Sequence, residues 1–345
     1  MSKSKVDYTK IDPLKKLAQK QAKTTKNSQV KIVEESYGES AFVWEEENCY
    51  RAFVIEGLGT KNLIADQIRG EKSYYDLLAQ DTVAMIVNDL ITVGAKPQVV
   101  NAYFAAGSSD WFTDYKRAKD LTEGFANACK LAGCVWGGGE SPALSGIIND
   151  QSADLAGAAI GIIQPKVRLT LGNKIQPNDA ILLIESSGIH ANGISFVRSL
   201  GGEFCKKFAG KLLTPTHIYV DLVNNLFEKG IDIHYMVSIT GHGFKKLMRA
   251  NKNFTYLISQ IPPVPQIFSL IQQESNASDE QMYGIFNMGA GFAVILPPNQ
   301  IEKAQKIATE NNLKSWNSGS VQKGEKKVVI QPKGITFEGS TLDLR

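Results

Sequence analysis

A glycine-containing segment directly after a predicted strand carries residues suited to phosphate chemistry. Residues 56–61 read EGLGTK and follow a predicted strand at 50–55. Glycines let backbone N–H groups approach an anion closely, while Thr60 adds a hydroxyl and Lys61 a positive charge. Glu56 lies at the end of the strand, where a carboxylate can hold Mg²⁺. The spacing fits neither a Walker A loop nor GxGxxG, and an ordinary glycine turn explains it at least as well.

Three polar residues interrupt a long apolar helix that the spacing of leucine, valine and isoleucine predicts over residues 74–93. They are Asp81, Asn88 and Asp89. Asp81 and Asn88 are seven positions apart, so they share nearly one face, two turns from each other. Carboxylate and amide groups on an apolar helix are costly unless something binds them. Mg²⁺ carrying nucleotide phosphates and a buried hydrogen-bond network account for them equally well.

Three consecutive glycines precede another acidic residue in the segment 136–141, WGGGES. Such a run excludes a helix and is unfavourable in a strand. We therefore expect a loop whose backbone approaches a ligand closely, with Glu140 as a metal or substrate ligand. A flexible linker is the alternative, but Trp136 and the apolar residues on both sides argue against a solvated segment.

Three further glycine-flanked polar turns lie in the second half of the chain. Residues 186–193 (SSGIHANG) follow a predicted strand and precede a predicted helix, an arrangement that favours an anion such as phosphate. His190 in this loop could carry a proton because its ordinary pKa is near neutrality, although a lone loop histidine is more often structural. Residues 239–243 (ITGHG) and 286–291 (FNMGAG) place His242 and Asn287 beside glycines.

The elements that must position these turns alternate between strands and helices, which predicts α/β or α+β domains. Strands are predicted at 41–44, 50–55, 99–105, 156–163, 180–185 and 328–330, and further helices at 115–132, 193–200, 218–229, 267–274 and 300–310. A connector at 164–178 separates two domains. We predict an N-terminal arm over 1–36, an ATP-binding and dimerisation domain over 37–165, and a C-terminal α/β domain over 175–345. In the arm, Asp12-Pro13 could begin a short helix with Leu14, Leu17 and Ala18 as its apolar stripe.

Composition excludes several classes of protein. The 345 residues carry a net charge of only +3 and 43% hydrophobic residues, values of a folded globular protein without a nucleic-acid-binding face. The lysine-rich N-terminus is interpreted as a solvated arm. Four cysteines without a CxxC pair indicate reduced thiols and no zinc site. No apolar run approaches the roughly 18 residues that a membrane span needs, so we expect a cytoplasmic protein without membrane contact.

The order of the motifs resembles one enzyme family. GLGTK, DTVAMIVNDLITVGAKP, AGCVWGGGES, DLAGAAIG, SSGIHANGISFVR, PTHIY, ITGHGF and FNMGAGF follow one another between residues 57 and 292. Together they resemble the phosphoribosylformylglycinamidine cyclo-ligases, the aminoimidazole ribonucleotide synthetases of purine biosynthesis. The resemblance implies an N-terminal domain on a small mixed sheet, a C-terminal α/β domain, and a homodimer that pairs the N-terminal sheets. It also implies ATP and Mg²⁺, with ring closure of formylglycinamidine ribonucleotide as the reaction.

The resemblance further implies roles for individual residues. The expected catalytic residues are Lys61, His190 and His242. The expected nucleotide-binding residues are Gly57, Gly59, Thr60, Lys61, Asn88, Gly138 and Gly139. The expected metal ligands are Glu56, Asp81, Asp89, Asn101 and Glu140. The expected substrate-binding residues are Ser187, Gly188, Asn192, Gly193, Thr240 and Gly241.

Five positions depart from the family pattern. Glu56 and Asn101 stand where the family usually has Asp, and Ala143 lies in a stretch that lacks the family's second Glu. Ser238 replaces a histidine, and a new His242 appears four residues later. These departures keep two alternatives open. One is a related ATP-dependent kinase or ligase with another small substrate, and the other is an inactive homologue that acts as a binding module.

Overall fold

The computed structural model describes residues 8–342 and contains two sheets, one in each half of the chain. The first seven residues of the predicted arm and the last three of the predicted C-terminal domain lie outside the described range. The predicted alternation of strands and helices is confirmed. Buried hydrophobic side chains from both halves form one continuous core.

The N-terminal half is a six-stranded mixed sheet with helices on one face. Its strands are β1 (Lys31–Ile32), β2 (Phe42–Glu45), β3 (Tyr50–Gly57), β4 (Lys96–Ala106), β5 (Val135–Glu140) and β6 (Ala153–Ile163). Their spatial order is β1-β2-β3-β6-β4-β5, and β4 and β5 are parallel while the other pairs are antiparallel. The helices are α1 (Tyr8–Thr24), α2 (Asn62–Ile68), α3 (Tyr75–Ile91) and α4 (Tyr115–Leu131).

One face of this sheet is covered and the other is open. Side chains along β6 alternate between buried and partly exposed, as a strand with only one packed face requires. Helix α3 packs along β3 and β6 on the covered face. On the open face, four large apolar side chains remain exposed: Phe53 (44%), Ile55 (71%), Tyr103 (37%) and Val135 (64%).

The C-terminal half is a seven-stranded sheet buried on both faces at its centre. Its strands are β7 (Ala180–Glu185), β8 (Tyr235–Ser238), β9 (Phe254–Ile258), β10 (Ala290–Leu296), β11 (Ser315–Lys323), β12 (Lys327–Ile330) and β13 (Ile335–Glu338), in the spatial order β13-β12-β9-β11-β7-β10-β8. The helices are α5 (Ile194–Arg198), α6 (Gly202–Leu212), α7 (Val220–Glu228), α8 (Gln266–Ser275), α9 (Asp279–Ile285) and α10 (Ile301–Glu310). Every residue of β10 is buried.

The segment with three consecutive glycines is a strand, which corrects our expectation of a ligand-binding loop. It forms the edge strand β5, which pairs with β4. A side chain at Gly139 would place its Cβ 2.0 Å from the carbonyl oxygen of Ala102, so only glycine fits there. Gly138 has a positive φ of 128° where the register of the two strands shifts. The glycines therefore serve close strand packing and a bulge at the sheet edge.

Candidate active site

The polar residues of α3 separate into two groups because they lie on different sides of the helix. Met85 and Asp89 are four residues apart and line one cavity. Asp81 and Asn88 share a neighbouring face, as their spacing predicts, and contact the segment 214–219 of the C-terminal half. We call that segment the docking segment. It connects α6 to α7.

Asp81 is held by Lys61 and by the docking segment. Lys61 Nζ lies 2.6 Å from Asp81 Oδ2, and both side chains are 0% exposed. Lys61 also donates to the carbonyl oxygen of Thr214 at 2.9 Å. Asp81 Oδ1 accepts from the backbone N–H of Thr216 at 2.9 Å. The structure thus places the expected phosphate-binding lysine and one expected metal ligand in a buried ion pair between the two halves of the chain.

Asn88 completes this contact with both atoms of its amide. Its Nδ2 donates to the carbonyl oxygen of His217 at 2.7 Å, and its Oδ1 accepts from the backbone N–H of Tyr219 at 3.0 Å. We name Lys61, Asp81 and Asn88 together the buried latch. The hydrogen-bond network that the sequence left open as an alternative is therefore the observed surrounding of Asp81 and Asn88.

Asp89 instead faces a cavity of about 380 Å³, which we call the charged pocket. Its ionisable lining includes Glu39, Glu56, Asp89, Lys15, Lys246 and Arg249. Asp89 is only 3% exposed, and its Oδ1 receives no hydrogen bond from an amide, hydroxyl or amine of the described residues. A buried carboxylate oxygen without such a donor is costly, so Asp89 retains the capacity to bind a cation or a hydrogen-bond donor of a ligand.

Glu56 and Asp89 influence each other's charge. Burial, followed by the negative charge of Asp89, raises the pKa of Glu56 to about 7, against the opposing effect of Lys246 and Arg249. Two carboxyl groups this close cannot both ionise easily without a cation between them. The pair is therefore the part of the predicted metal set that the structure brings together.

The other expected metal ligands lie elsewhere. Asn101 is exposed, and Glu140 is in register with Tyr103, whose side chain is on the open face of the sheet. Since Glu56 turns toward α3 on the covered face, these residues are on the opposite side of the sheet from the charged pocket. Across residues 8–342, no group of three or more His, Cys, Asp or Glu side chains could hold a metal ion.

A second cavity of about 480 Å³ adjoins the charged pocket, and we call it the glycine-rich pocket. It brings together turns that are far apart in the chain. The expected site residues among its lining are Gly59, Thr60, Asn192, Gly193, Gly241 and His242. Thr60 Oγ1 and Ser195 Oγ are 3.5 Å apart across the cavity, so the N-terminal and C-terminal turns meet there.

The wall between the pockets is formed by Asn192, Gly241 and His242, which line both. Asn192 Oδ1 accepts from the backbone N–H of Gly241 at 2.9 Å and fixes the two loops together. His242 has a positive φ of 72°, a conformation that glycine adopts more easily. Burial and the nearby Lys246 lower the pKa of His242 to about 4, so the imidazole is neutral at pH 7.

His190, Ser187 and Gly188 lie outside both pocket linings. His190 is 2% exposed, and its Nε2 accepts from the backbone N–H of Ser187 at 3.2 Å. Burial, with smaller effects of His217 and Lys61, holds the pKa of His190 well below its usual value. The carbonyl oxygen of Gly188 accepts from Asn287 Nδ2 at 2.9 Å. These hydrogen bonds fix the conformation of the 186–193 loop.

Family models decide the classification of the chain. The model described as "AIR synthase related protein, N-terminal domain" matches residues 38–163, and the model described as "AIR synthase related protein, C-terminal domain" matches residues 176–331. The chain belongs to this family. The resemblance that the motif order indicated is thereby confirmed.

Several curated relatives of the chain are phosphoribosylformylglycinamidine cyclo-ligases. A phosphoribosylformylglycinamidine cyclo-ligase from Methanobrevibacter smithii is 37% identical over 305 residues, which cover 84% of each chain. One from Carboxydothermus hydrogenoformans is 35% identical over 80% of this chain and 81% of the relative. The enzyme class that the resemblance implied, a ligase, is the class that these names state.

Solved structures of lower identity share the fold. The HypE–HypF complex contains a chain that is 16% identical to this one. The TM-score is 0.65, and the match covers 95% of this chain and 98% of that chain. HypE in complex with ATP is 18% identical, with a TM-score of 0.58 over 77% of this chain and 79% of that one. The predicted two-domain fold is confirmed.

Sequence reasoning missed the three basic residues of the charged pocket, which are Lys15, Lys246 and Arg249. Lys246 is 7% exposed, and its ammonium donates to Thr240 Oγ1 at the pocket wall. Arg249 donates from Nε to the carbonyl oxygen of Gly38 at 3.0 Å. A signal was available for Lys246, because it sits among the apolar residues of a short 3-10 turn, Gly243–Met248, directly after the ITGHG turn.

Proposed function

We propose that this chain closes the imidazole ring of formylglycinamidine ribonucleotide to give aminoimidazole ribonucleotide, with ATP consumed. The family membership and the name of its relatives support this activity. In this reaction the amide oxygen of the substrate attacks the γ-phosphorus of ATP and ADP leaves. A nitrogen of the same molecule then attacks the activated carbon, the C–O bond breaks, phosphate departs, and a proton is lost as the ring closes.

The observation that carries the proposal is the pair of adjoining pockets. One presents three carboxylates and basic side chains, and the other presents glycine-rich turns from both halves of the chain. Phosphoryl transfer depends on positioning and on neutralising the phosphate charge. The charged pocket offers the groups for neutralisation, while the glycine-rich pocket offers room for the rest of a nucleotide.

We assign the Mg²⁺ ligands to Glu56 and Asp89. The donor set fits because Mg²⁺ is commonly bound through one or two carboxylates together with phosphate oxygens and water. The donor-free oxygen of buried Asp89 fits the same assignment. Bound there, Mg²⁺ would supply positive charge to the phosphate oxygens. Lys246 and Arg249 add fixed positive charges to the same cavity, and neutral His242 offers a hydrogen bond at the wall between the pockets.

We also propose that the chain forms a homodimer through the open face of the N-terminal sheet. Exposed apolar side chains rarely gather on a monomer surface without a partner, and Ile55 and Val135 are 71% and 64% exposed there. Asn101, Gly138, Gly139 and Glu140 would then lie at the dimer interface. Their position on the edge and open face of the sheet explains why they do not join the pockets of their own chain.

A cytoplasmic location belongs to the same proposal. The four cysteines are all free thiols in the structure, which suits a reducing compartment. No helix among residues 8–342 is both long enough and apolar enough to cross a membrane.

Purified protein tests the activity directly. We expect ADP release that requires both formylglycinamidine ribonucleotide and Mg²⁺, with aminoimidazole ribonucleotide formed in equal amount. Complementation of a strain that lacks the cyclo-ligase is the matching test in cells. ADP release that is independent of this substrate, together with failure to complement, would point to a related kinase or ligase.

A further inference from the structure

Helix α1 contacts the charged pocket although the sequence suggested a solvated arm. Lys15 and Gln19, one turn apart on this helix, line the cavity together with Glu56 and Asp89. Asp12, one turn before them, forms an ion pair with Lys15 at 3.1 Å. Both Asp12 and Lys15 lie near enough to His242 to affect its charge. The helix is therefore part of the pocket wall.

The orientation of α1 is the reverse of the usual one. Its half-buried side chains are polar, Asp12, Lys16 and Gln19, whereas Leu14 and Leu17 are 69% and 54% exposed. An amphipathic helix normally buries its apolar stripe against the protein. Turning the polar side inward forgoes that hydrophobic gain, so the contact of α1 with the protein depends on what its polar groups bind.

The charges around the pocket are arranged in two groups. Carboxylates come from Glu56 on β3, from Asp89 on α3 and from Glu39, which accepts a hydrogen bond from the Tyr235 hydroxyl at 2.7 Å. Ammonium and guanidinium groups come from Lys246, Arg249 and Lys15. A phosphate group that carries a divalent cation matches both, because the cation binds carboxylates while the phosphate oxygens accept charge-assisted hydrogen bonds.

We propose that Lys15 and Gln19 are ligand-binding residues of the charged pocket and contact phosphate oxygens of the bound ligand. This inference rests on the proposed function, since it takes the charged pocket as the place where a phosphate compound binds. Lys15 contributes a charge, and the amide of Gln19 contributes a hydrogen bond one turn further along the same face of α1.

Two compounds of the proposed reaction bring phosphate to the protein, the nucleoside triphosphate and the ribonucleotide substrate. The phosphate chemistry is common to both. Two probes separate them in calorimetric titrations of the full chain: ADP with Mg²⁺ represents the nucleotide, and ribose 5-phosphate represents the substrate phosphate.

The test compares Lys15→Gln with Lys20→Gln, a matched loss of one positive charge at an exposed position on another side of the same helix. We expect Lys15→Gln to weaken binding of one probe about 10-fold, as the loss of a charge-assisted contact implies. Lys20→Gln should remain within about twofold of wild type, because Lys20 does not line the pocket and exposed charges away from a ligand contribute little. Gln19→Ala should weaken the same probe as Lys15→Gln, by a smaller factor.

Hydrogen exchange of the α1 amides gives a second readout and shows whether α1 still forms in each variant. The expected result is slower exchange in α1 when the probe is bound to wild type, with this protection reduced in Lys15→Gln. Weakened ADP binding assigns the contact to the nucleotide phosphates, and weakened ribose 5-phosphate binding assigns it to the substrate.

Equal affinities of Lys15→Gln and Lys20→Gln for both probes, with binding intact in wild type, would overturn the inference and leave the proposed function standing. If the wild-type protein binds neither ADP with Mg²⁺ nor ribose 5-phosphate, both the inference and the proposed function are overturned. The two failures are therefore distinguishable in one series of titrations.

Discussion

The buried latch and the carboxylate pair of the charged pocket contain the same kinds of residues in different surroundings. Asp81 and Asn88 of the latch and Asp89 of the pair all lie on α3. In the latch each carboxylate or amide has partners, namely Lys61 and backbone groups of the docking segment. In the pair, Asp89 Oδ1 receives no hydrogen bond from an amide, hydroxyl or amine of the described residues, and Glu56 beside it has its pKa raised to about 7.

The difference teaches that the surroundings of a carboxylate, rather than its residue type, separate the two groups: Asp81 has the ammonium of Lys61 2.6 Å away in a buried ion pair, whereas Asp89 faces a cavity. A buried ion pair with further hydrogen bonds to the backbone holds two halves of a chain in register. A buried carboxylate pair without enough donors is costly in the empty protein. Ligand binding can offset that cost. In the latch, by contrast, Lys61 and Asp81 are already paired with each other and are fully buried.

The largest effect we predict is on stability, for Asp81→Ala. The substitution leaves the ammonium of Lys61 buried without its counter-charge, which costs about 3–5 kcal/mol of unfolding free energy. Urea denaturation measures it. The double substitution Lys61→Met with Asp81→Leu serves as control and should recover much of the loss, because no uncompensated charge remains. A loss below about 1 kcal/mol for Asp81→Ala would show that the latch is not a stabilising contact.

A smaller effect, on turnover, is predicted for Lys246→Met. We expect the substrate-dependent release of ADP to fall about 10- to 100-fold, since one fixed positive charge in a phosphate site contributes roughly 1.5–3 kcal/mol. Stability should change little or improve, because the substitution removes a buried ammonium. The charge-conserving control is Lys246→Arg. Unaltered kcat and KM in Lys246→Met would show that Lys246 does not contribute to turnover.

The structural role of His190 predicts a pH effect of intermediate size. Its pKa is well below the usual value in the folded protein, so its neutral form contributes stability above about pH 6.5 that is lost as the pH falls. Between pH 6.5 and 5.5 this contributes about 1 kcal/mol of destabilisation. His190→Asn, which tolerates the positive φ of 58°, should show a shallower loss of unfolding free energy over that range. An unchanged slope in the denaturation series would contradict the assignment.

The smallest effect concerns Ser238 and His242. Ser238 is buried at the end of β8 and lines neither pocket, whereas His242 lines both. We expect His242→Gly to lower turnover severalfold without loss of stability, because glycine suits the left-handed backbone at this position. Ser238→Ala should leave kcat and KM within about twofold of wild type, as for most changes that touch no ligand. Equal turnover in His242→Gly and Ser238→Ala would show that His242 does not contribute to turnover.

Much of the fold followed from sequence periodicity. The predicted helix at 74–93 is α3, Tyr75–Ile91, and the predicted strand at 156–163 is the inner part of β6, Ala153–Ile163. The glycine strand β5 was misjudged because local propensity opposes glycine in strands, while tight contact with Ala102 requires it. Strands β8 to β11 were also missed: β8 and β10 are buried at every residue, so no alternating pattern remains, and β11 is largely polar and partly exposed.

The sequence indicated which turns contribute to the pockets, but it did not indicate which helix side chains face them. Three of the glycine turns, 56–61, 186–193 and 239–243, contribute residues to the two pockets, as at Gly59 and Gly193. Which side of α3 faces a cavity depends on packing between distant elements, so Asp81 and Asp89 could not be told apart from their spacing. The same reason concealed the placement of α1, which was interpreted as a solvated arm and instead lines the charged pocket with Lys15 and Gln19.

The most direct test of the central claim compares Asp89→Asn with Asp81→Asn in the same assay of ADP release and the same thermal melt. If the carboxylate pair is the functional one, Asp89→Asn lowers Mg²⁺-dependent turnover by about 100-fold or more while its Tm stays near that of wild type. Asp81→Asn should lower Tm by several degrees and leave the turnover of the folded protein largely intact. Parallel losses of Tm and turnover in Asp89→Asn, or turnover lost in Asp81→Asn at an unchanged Tm, would contradict the account.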